Sequence, residues 1–226
     1  MGLVNGTSLA GTLCNIREVL LRGEKIPKPE REQAAAWIAS RAGAPGSYRG
    51  LPAPTTRDYS TKLRLFTGET VGSQAGTGCK LGFEATWAIT VLRPTKTAVA
   101  RVAETCRQRA LERFSQETAR QRGMYCCYSC SNAGWQALGV TPGGDADELL
   151  EAGLSLLRSL RRSTGRWDKF PFWYTVLALS DMDRPSALAE LRHAAPALQR
   201  AMKARPKPDA ATQRRLSLAR HVLNRV

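Results

Sequence analysis

Three cysteines fall within five residues, in the run Cys126-Cys127-Tyr128-Ser129-Cys130. A Cys-x-x-Cys spacing at the start of a helix lets two thiolates meet one tetrahedral zinc ion. The helix N-terminus also lowers thiol pKa, which favours metal binding and redox chemistry alike. A four-ligand site needs two further groups, and the chain offers Cys14, Cys79, Cys106, Cys126, His193 and His221. The candidate ligands are therefore Cys127 and Cys130, with Cys79, Cys126 or His193 completing the set, and the cofactor implied is zinc. Two other readings stay open: a redox pair, which in the thioredoxin manner expects a β-α-β setting that is missing here, and inert buried thiols.

A second group of reactive side chains is spread through the glycine-rich stretch 43–82. Glu69, with Glu84 just beyond it, is a candidate general acid or base, while Arg57 and Arg64 are placed to clamp an anion. The alternative is a structural lid held by internal ion pairs. Gly76-Thr77-Gly78-Cys79-Lys80 lacks the order of a phosphate-binding loop and follows no strand, which argues against nucleotide binding. His193 stands near the end of a helical stretch, where a histidine serves either as a favourable cation or as a ligand.

These residues need helices to position them. No segment shows a period of two, whereas apolar residues at helical spacing recur from residue 29 onward. The expected helices include Pro29 to Ala42, Glu84 to Leu92, Thr97 to Arg122, Cys127 to Leu138, 146 to 162 capped by Asp145, and Phe172 to Leu179. A further helix starts at Asp183 and is ended or kinked by Pro196, and a basic helix covers about 210 to 225. The fold class is mainly α, without significant sheet, as helical hairpin repeats in a bundle or an α/α toroid. Residues 1–29 form an arm or capping helix, 30–203 the helical-repeat domain with its ordered loop 43–82, and 204–226 a basic C-terminal helix.

The chain has 226 residues and a formal charge of +15, from 26 Arg and 8 Lys against 19 acids. Between Arg192 and Val226 there are nine basic residues and one acid, Asp209. That asymmetry suits contact with nucleic acid or another anionic partner, or simply a solvated terminal helix. Along the central helix, Arg101, Arg107, Arg109, Arg113, Arg120 and Arg122 would line a basic surface, although Glu104, Glu112 and Glu117 share it. The apolar run Phe170 to Leu179 is too short to cross a bilayer, and the N-terminus lacks the pattern of a signal peptide. A cytoplasmic protein with reduced thiols is expected, its oligomeric state open.

An internal echo adds architecture. Trp37, Gly46 and Tyr48 in AWIASRAGAPGSYRG are matched by Leu156, Gly165 and Trp167 in LLRSLRRSTGRW, each offset by 119 residues. With the continuation DKFPFWYTVLALS, a helix runs into a Gly-x-aromatic turn and then into an apolar helix. In this the chain resembles the repeats of the terpenoid cyclase and protein prenyltransferase superfamily. The resemblance implies an α/α toroid whose inner helices wall a cavity for an isoprenoid or other apolar small molecule. Trp167, Phe172, Trp173 and Tyr174 would then be ligand-binding, the alternative being that they are core. Of the superfamily's Asp-x-Asp-Asp motif the chain has only Asp181-Met182-Asp183 and Asp145-Ala146-Asp147-Glu148, and the first supplies the weak catalytic candidates Asp181 and Asp183.

Overall fold

In the computed structural model, which describes residues 2–116, 123–141, 143–204 and 209–226, the chain is mainly α. Ten helices occur among the described residues: α1 Leu9–Leu21, α2 Lys28–Ser40, α3 Thr56–Ser60, α4 Gln74–Val91, α5 Thr97–Phe114, α6 Tyr128–Gly139, α7 Asp145–Ser159, α8 Phe172–Ser180, α9 Pro185–Lys203 and α10 Ala210–Leu223. The part of the expected central helix that contains Glu117, Arg120 and Arg122 lies outside the described residues.

Helix α4 is the axis. It packs along α6 and also touches α1, α2, α3 and α5, and every residue from Thr77 to Ile89 is buried. A helix hidden on all sides needs small residues where neighbours approach. A Cβ on Gly82 would stand 3.0 Å from the Leu51 Cβ, and one on Gly78 would stand 3.0 Å from the Tyr59 hydroxyl. Those glycines also mask the helical signal, because glycine is among the poorest helix formers. The helix accordingly starts at Gln74 and not near Glu84 as the sequence suggested, with the Ser73 side chain accepting from the Gly76 N–H at 3.0 Å.

Buried caps tie the N-terminal segment to the domain. The Asp58 carboxylate, 2% exposed, accepts from the Ser8 hydroxyl (2.6 Å), the Leu9 N–H (2.9 Å) and the Thr55 N–H (2.8 Å). It thus closes the starts of α1 and α3 together, which suits an anion between two positive helix ends. At the other end of the chain, α10 packs against α1, α8 and α9.

Two expectations are corrected in the C-terminal half. Helix α7 ends at Ser159, and the tryptophan turn is a short antiparallel hairpin, β1 (Arg161–Arg162) and β2 (Arg166–Trp167), turned by Gly165 at φ 77°. Glu190, wholly buried, holds it: the Trp167 indole donates to Glu190 Oε2 at 2.9 Å and Arg161 donates to both carboxylate oxygens at 2.9 and 3.0 Å. Helix α9 runs through Pro196. A proline inside a helix costs about 3 kcal/mol, and burial of Leu191, Ala194, Ala197 and Leu198 against neighbouring helices offsets it. Gly46 at φ 82° matches Gly165, so the two echoed turns share the left-handed glycine, though only the second opens into a hairpin.

Candidate metal centre

The cysteine cluster is assembled from two helices. Cys79 lies in the second turn of α4, and Cys130 lies in the first turn of α6. Cys126 precedes Cys127, the N-cap of α6, whose Sγ accepts from the Cys130 N–H at 3.4 Å. The turn is strapped to its helix by Ser131, which accepts from the Tyr125 N–H (2.9 Å) and donates to the Cys127 carbonyl (2.8 Å). The Tyr125 ring then stacks on Phe114 at 5.3 Å and meets Phe83 edge-on at 5.7 Å. Its hydroxyl shares a 2.5 Å hydrogen bond with that of Tyr48. Since Phe83 stands one turn after Cys79, this packing brings Cys126 over α4.

The result is that the sulfurs of Cys79, Cys126 and Cys130 all lie within 4.8 Å of one another, close enough to hold a metal ion. Around tetrahedral zinc, with Zn–S of about 2.3 Å, sulfurs stand about 3.8 Å apart, so little movement is required. Cys79 and Cys130 are buried while Cys126 is exposed, so the cluster has one open side. Cys127, whose Sγ takes the Cys130 N–H, is not among the three that converge.

The thiols share charge unevenly. Cys130 is held below its ordinary value: contact with Cys126 pushes it up, but hydrogen bonds from Cys127 and Cys79 and the Lys80 charge outweigh that. Cys126 is raised, first by its hydrogen bond to Cys127. At Cys79 the contact with Cys126 works downward, yet the Cys130 bond and burial carry it up. Cys130 is thus the one thiol of the three that is lowered, and the ammonium of Lys80 stands 3.5 Å from its sulfur.

Two clefts open along the starts of these helices. One, of 740 Å³, is lined by Glu69, Thr70, Cys127, Tyr128, Ser129, Lys169, Phe170 and Pro171. The other, of 480 Å³, runs along Tyr48, Tyr59 and the first turns of α4.

A separate polar cluster is buried at the far end of α4. The Arg17 guanidinium, 3% exposed, has Nη1 3.0 Å from both Asp181 oxygens, donates to Gln136, and lies 3.5 Å over the Trp87 ring. Tyr174 donates to Glu84 at 2.5 Å. Burial pushes the Asp181 carboxyl up to about 6 against the pull of Arg17, and burial also raises Glu84.

The sequence candidates therefore separate. Cys79, Cys126, Cys127 and Cys130 come together; Glu84, Tyr174 and Asp181 join the buried polar cluster; and Glu69 faces the cleft beside Cys127. His193 stands elsewhere, against the Arg166 carbonyl (3.3 Å) and the Trp167 ring. Arg57 reaches Thr7, Arg64 is exposed and bridges to Thr70, and Asp183 is exposed. Trp167 and Phe172 are core, and Trp173 is half-buried beside Arg215. Of the proposed basic surface, Arg107 pairs with Glu104, Arg109 donates to the Gly50 carbonyl, Arg214 donates to Glu18, and Arg225 donates to the Ser180 carbonyl.

Lys80 and Arg17 were not singled out as site residues. Lys80 had a signal in its place beside Cys79. Arg17 sits at helical spacing between Leu13 and Leu21 on the apolar face of α1, which marks it as a buried charge in need of a partner.

Fold and site together define a mainly α protein with a converging three-thiol cluster. No protein-family model matches the chain, and no curated protein matches it. No helix among the described residues is long and apolar enough to cross a membrane.

Proposed function

We propose that the protein binds a soft divalent ion, zinc first among them, through Cys79, Cys126 and Cys130. The observation that carries this reading is the convergence of three thiols from positions 47 and 51 residues apart, on α4 and at the entry to α6. Thiolate sulfur favours zinc over magnesium or calcium, which prefer oxygen. The bound ion would pin the turn 123–127 to the central helix. Because α4 is already packed on the other helices, removing the ion should loosen that turn and leave the bundle folded, unlike a zinc finger, whose fold depends on its metal. The exposed Cys126 and the cleft beside Cys127 leave the ion reachable, as in sites that keep a coordination position for water or a ligand.

The test is elemental analysis of protein purified under reducing conditions, with Cys79→Ala, Cys126→Ala, Cys130→Ala and Cys127→Ala variants. Near-stoichiometric zinc, sharply weakened but restorable with excess metal in the first three and kept in Cys127→Ala, supports the reading. Absence of zinc, with none taken up on addition, refutes it. The toroid resemblance offers a separate role, binding of an apolar or isoprenoid-like molecule near Trp173. Its support is the partly exposed Trp173 beside Phe172, and saturable quenching of tryptophan fluorescence by such a ligand would favour it.

A further inference from the structure

We infer that Lys80 balances the charge of the metal centre and selects a complex with three thiolates. The inference rests on the metal reading above. Lys80 is 8% exposed, and its ammonium hydrogen-bonds to the Cys130 sulfur at 3.5 Å. Among the described residues it has no carboxylate partner. Lysine is almost never buried to this degree without a counter-charge, because desolvating an unpaired ammonium is costly. Neutral thiols supply no such charge.

Metal binding does. A divalent ion and three thiols give a complex of charge −1 and release three protons, and the ammonium makes the assembly neutral. Ligation by Cys127 as well would take the complex to −2 and leave one negative charge that Lys80 does not balance. The N–H···S hydrogen bond also fixes the orientation of Cys130, as partners of metal ligands commonly do. Lys80 stands one residue after Cys79, so a single turn of α4 supplies both a ligand and the balancing charge. Lys80 is thus a positioning residue, acting through Cys130.

The experiment is competition of the reduced full-length protein against a chromophoric zinc chelator, for wild type, Lys80→Met, Lys80→Gln and Lys80→Arg. Loss of the ammonium should weaken zinc binding by about 10–100-fold, and Lys80→Arg should recover most of it. With cobalt in place of zinc, the sulfur-to-metal charge-transfer band should move to lower energy in Lys80→Met, because the thiolate loses its hydrogen bond. A merely structural lysine would not move that band. If Lys80→Met does not fold, Lys80→Gln carries the test. Neutral variants that bind zinc as tightly as wild type overturn the role of Lys80 alone. A wild-type protein that binds no zinc overturns the metal reading itself.

Discussion

Replacing Arg17 with methionine removes a guanidinium that serves three groups: Asp181, Gln136 and the face of Trp87. Methionine fills much of the volume, so the loss is mainly electrostatic. Asp181 would be left without its counter-charge, with 12% of its side chain exposed. Breaking one partner out of a buried pair costs about 3–5 kcal/mol, and the stacking on Trp87 adds about 1–2 kcal/mol. A loss of about 4–7 kcal/mol at pH 8 is therefore expected, a large share of the total stability of a typical domain. The damage should shrink at pH 5, where Asp181 takes up a proton, and in Arg17→Met/Asp181→Asn, where no charge remains. Urea denaturation followed by tryptophan fluorescence measures each of these, with Asp181→Asn alone as the fourth arm. A loss under about 1 kcal/mol in Arg17→Met, or strict additivity with Asp181→Asn, would refute the reasoning, since coupled partners deviate by about 0.5–3 kcal/mol.

Two further outcomes are expected. Asp181 is raised from 3.8 to about 6, so the folded state holds its proton more tightly than the unfolded chain. Its contribution is fully present below pH 3.8 and lost as pH rises toward 6, a decline of about 3 kcal/mol. Glu84 is shifted the same way. Exposed Glu24, Glu104 and Asp209 and half-buried Glu32 are lowered and gain stability as pH rises through the acid range. Stability should peak near pH 4 and fall toward pH 6, measured by denaturation across that range, and the fall should flatten in Asp181→Asn. Separately, a Cβ at Gly134 would stand 2.1 Å from the Phe114 ring, the ring on which Tyr125 stacks. Gly134→Ala should lower the midpoint of urea unfolding by an amount equivalent to about 1–3 kcal/mol and weaken zinc uptake by displacing the turn that carries Cys126. Unchanged stability would show that Phe114 yields freely.

What the sequence made legible follows from where its signals are local. The cysteine run at the start of a helix, the apolar helix over Phe172–Leu179 and the turn at Gly165 each depend on a few adjacent residues, and each is where it was expected. The first half of α4 was hidden because Gly76, Gly78 and Gly82 read as loop, whereas the smallness of Gly78 and Gly82 answers to Tyr59 and Leu51, which are distant in sequence. That same error obscured Cys79 as a helix-borne ligand and Lys80 as its neighbour. Pro196 was read by its local penalty, and tertiary burial of α9 overrides it. The partner of Arg17 lies 164 residues away, a pairing that no local pattern encodes.

The most direct measurement on the central claim is X-ray absorption at the zinc edge of the reduced, metal-loaded protein. Three sulfur scatterers at about 2.3 Å, falling to two in Cys126→Ala and unchanged in Cys127→Ala, are the expected result. A shell of nitrogen and oxygen alone, or a sulfur count indifferent to Cys126, would contradict a centre built from Cys79, Cys126 and Cys130.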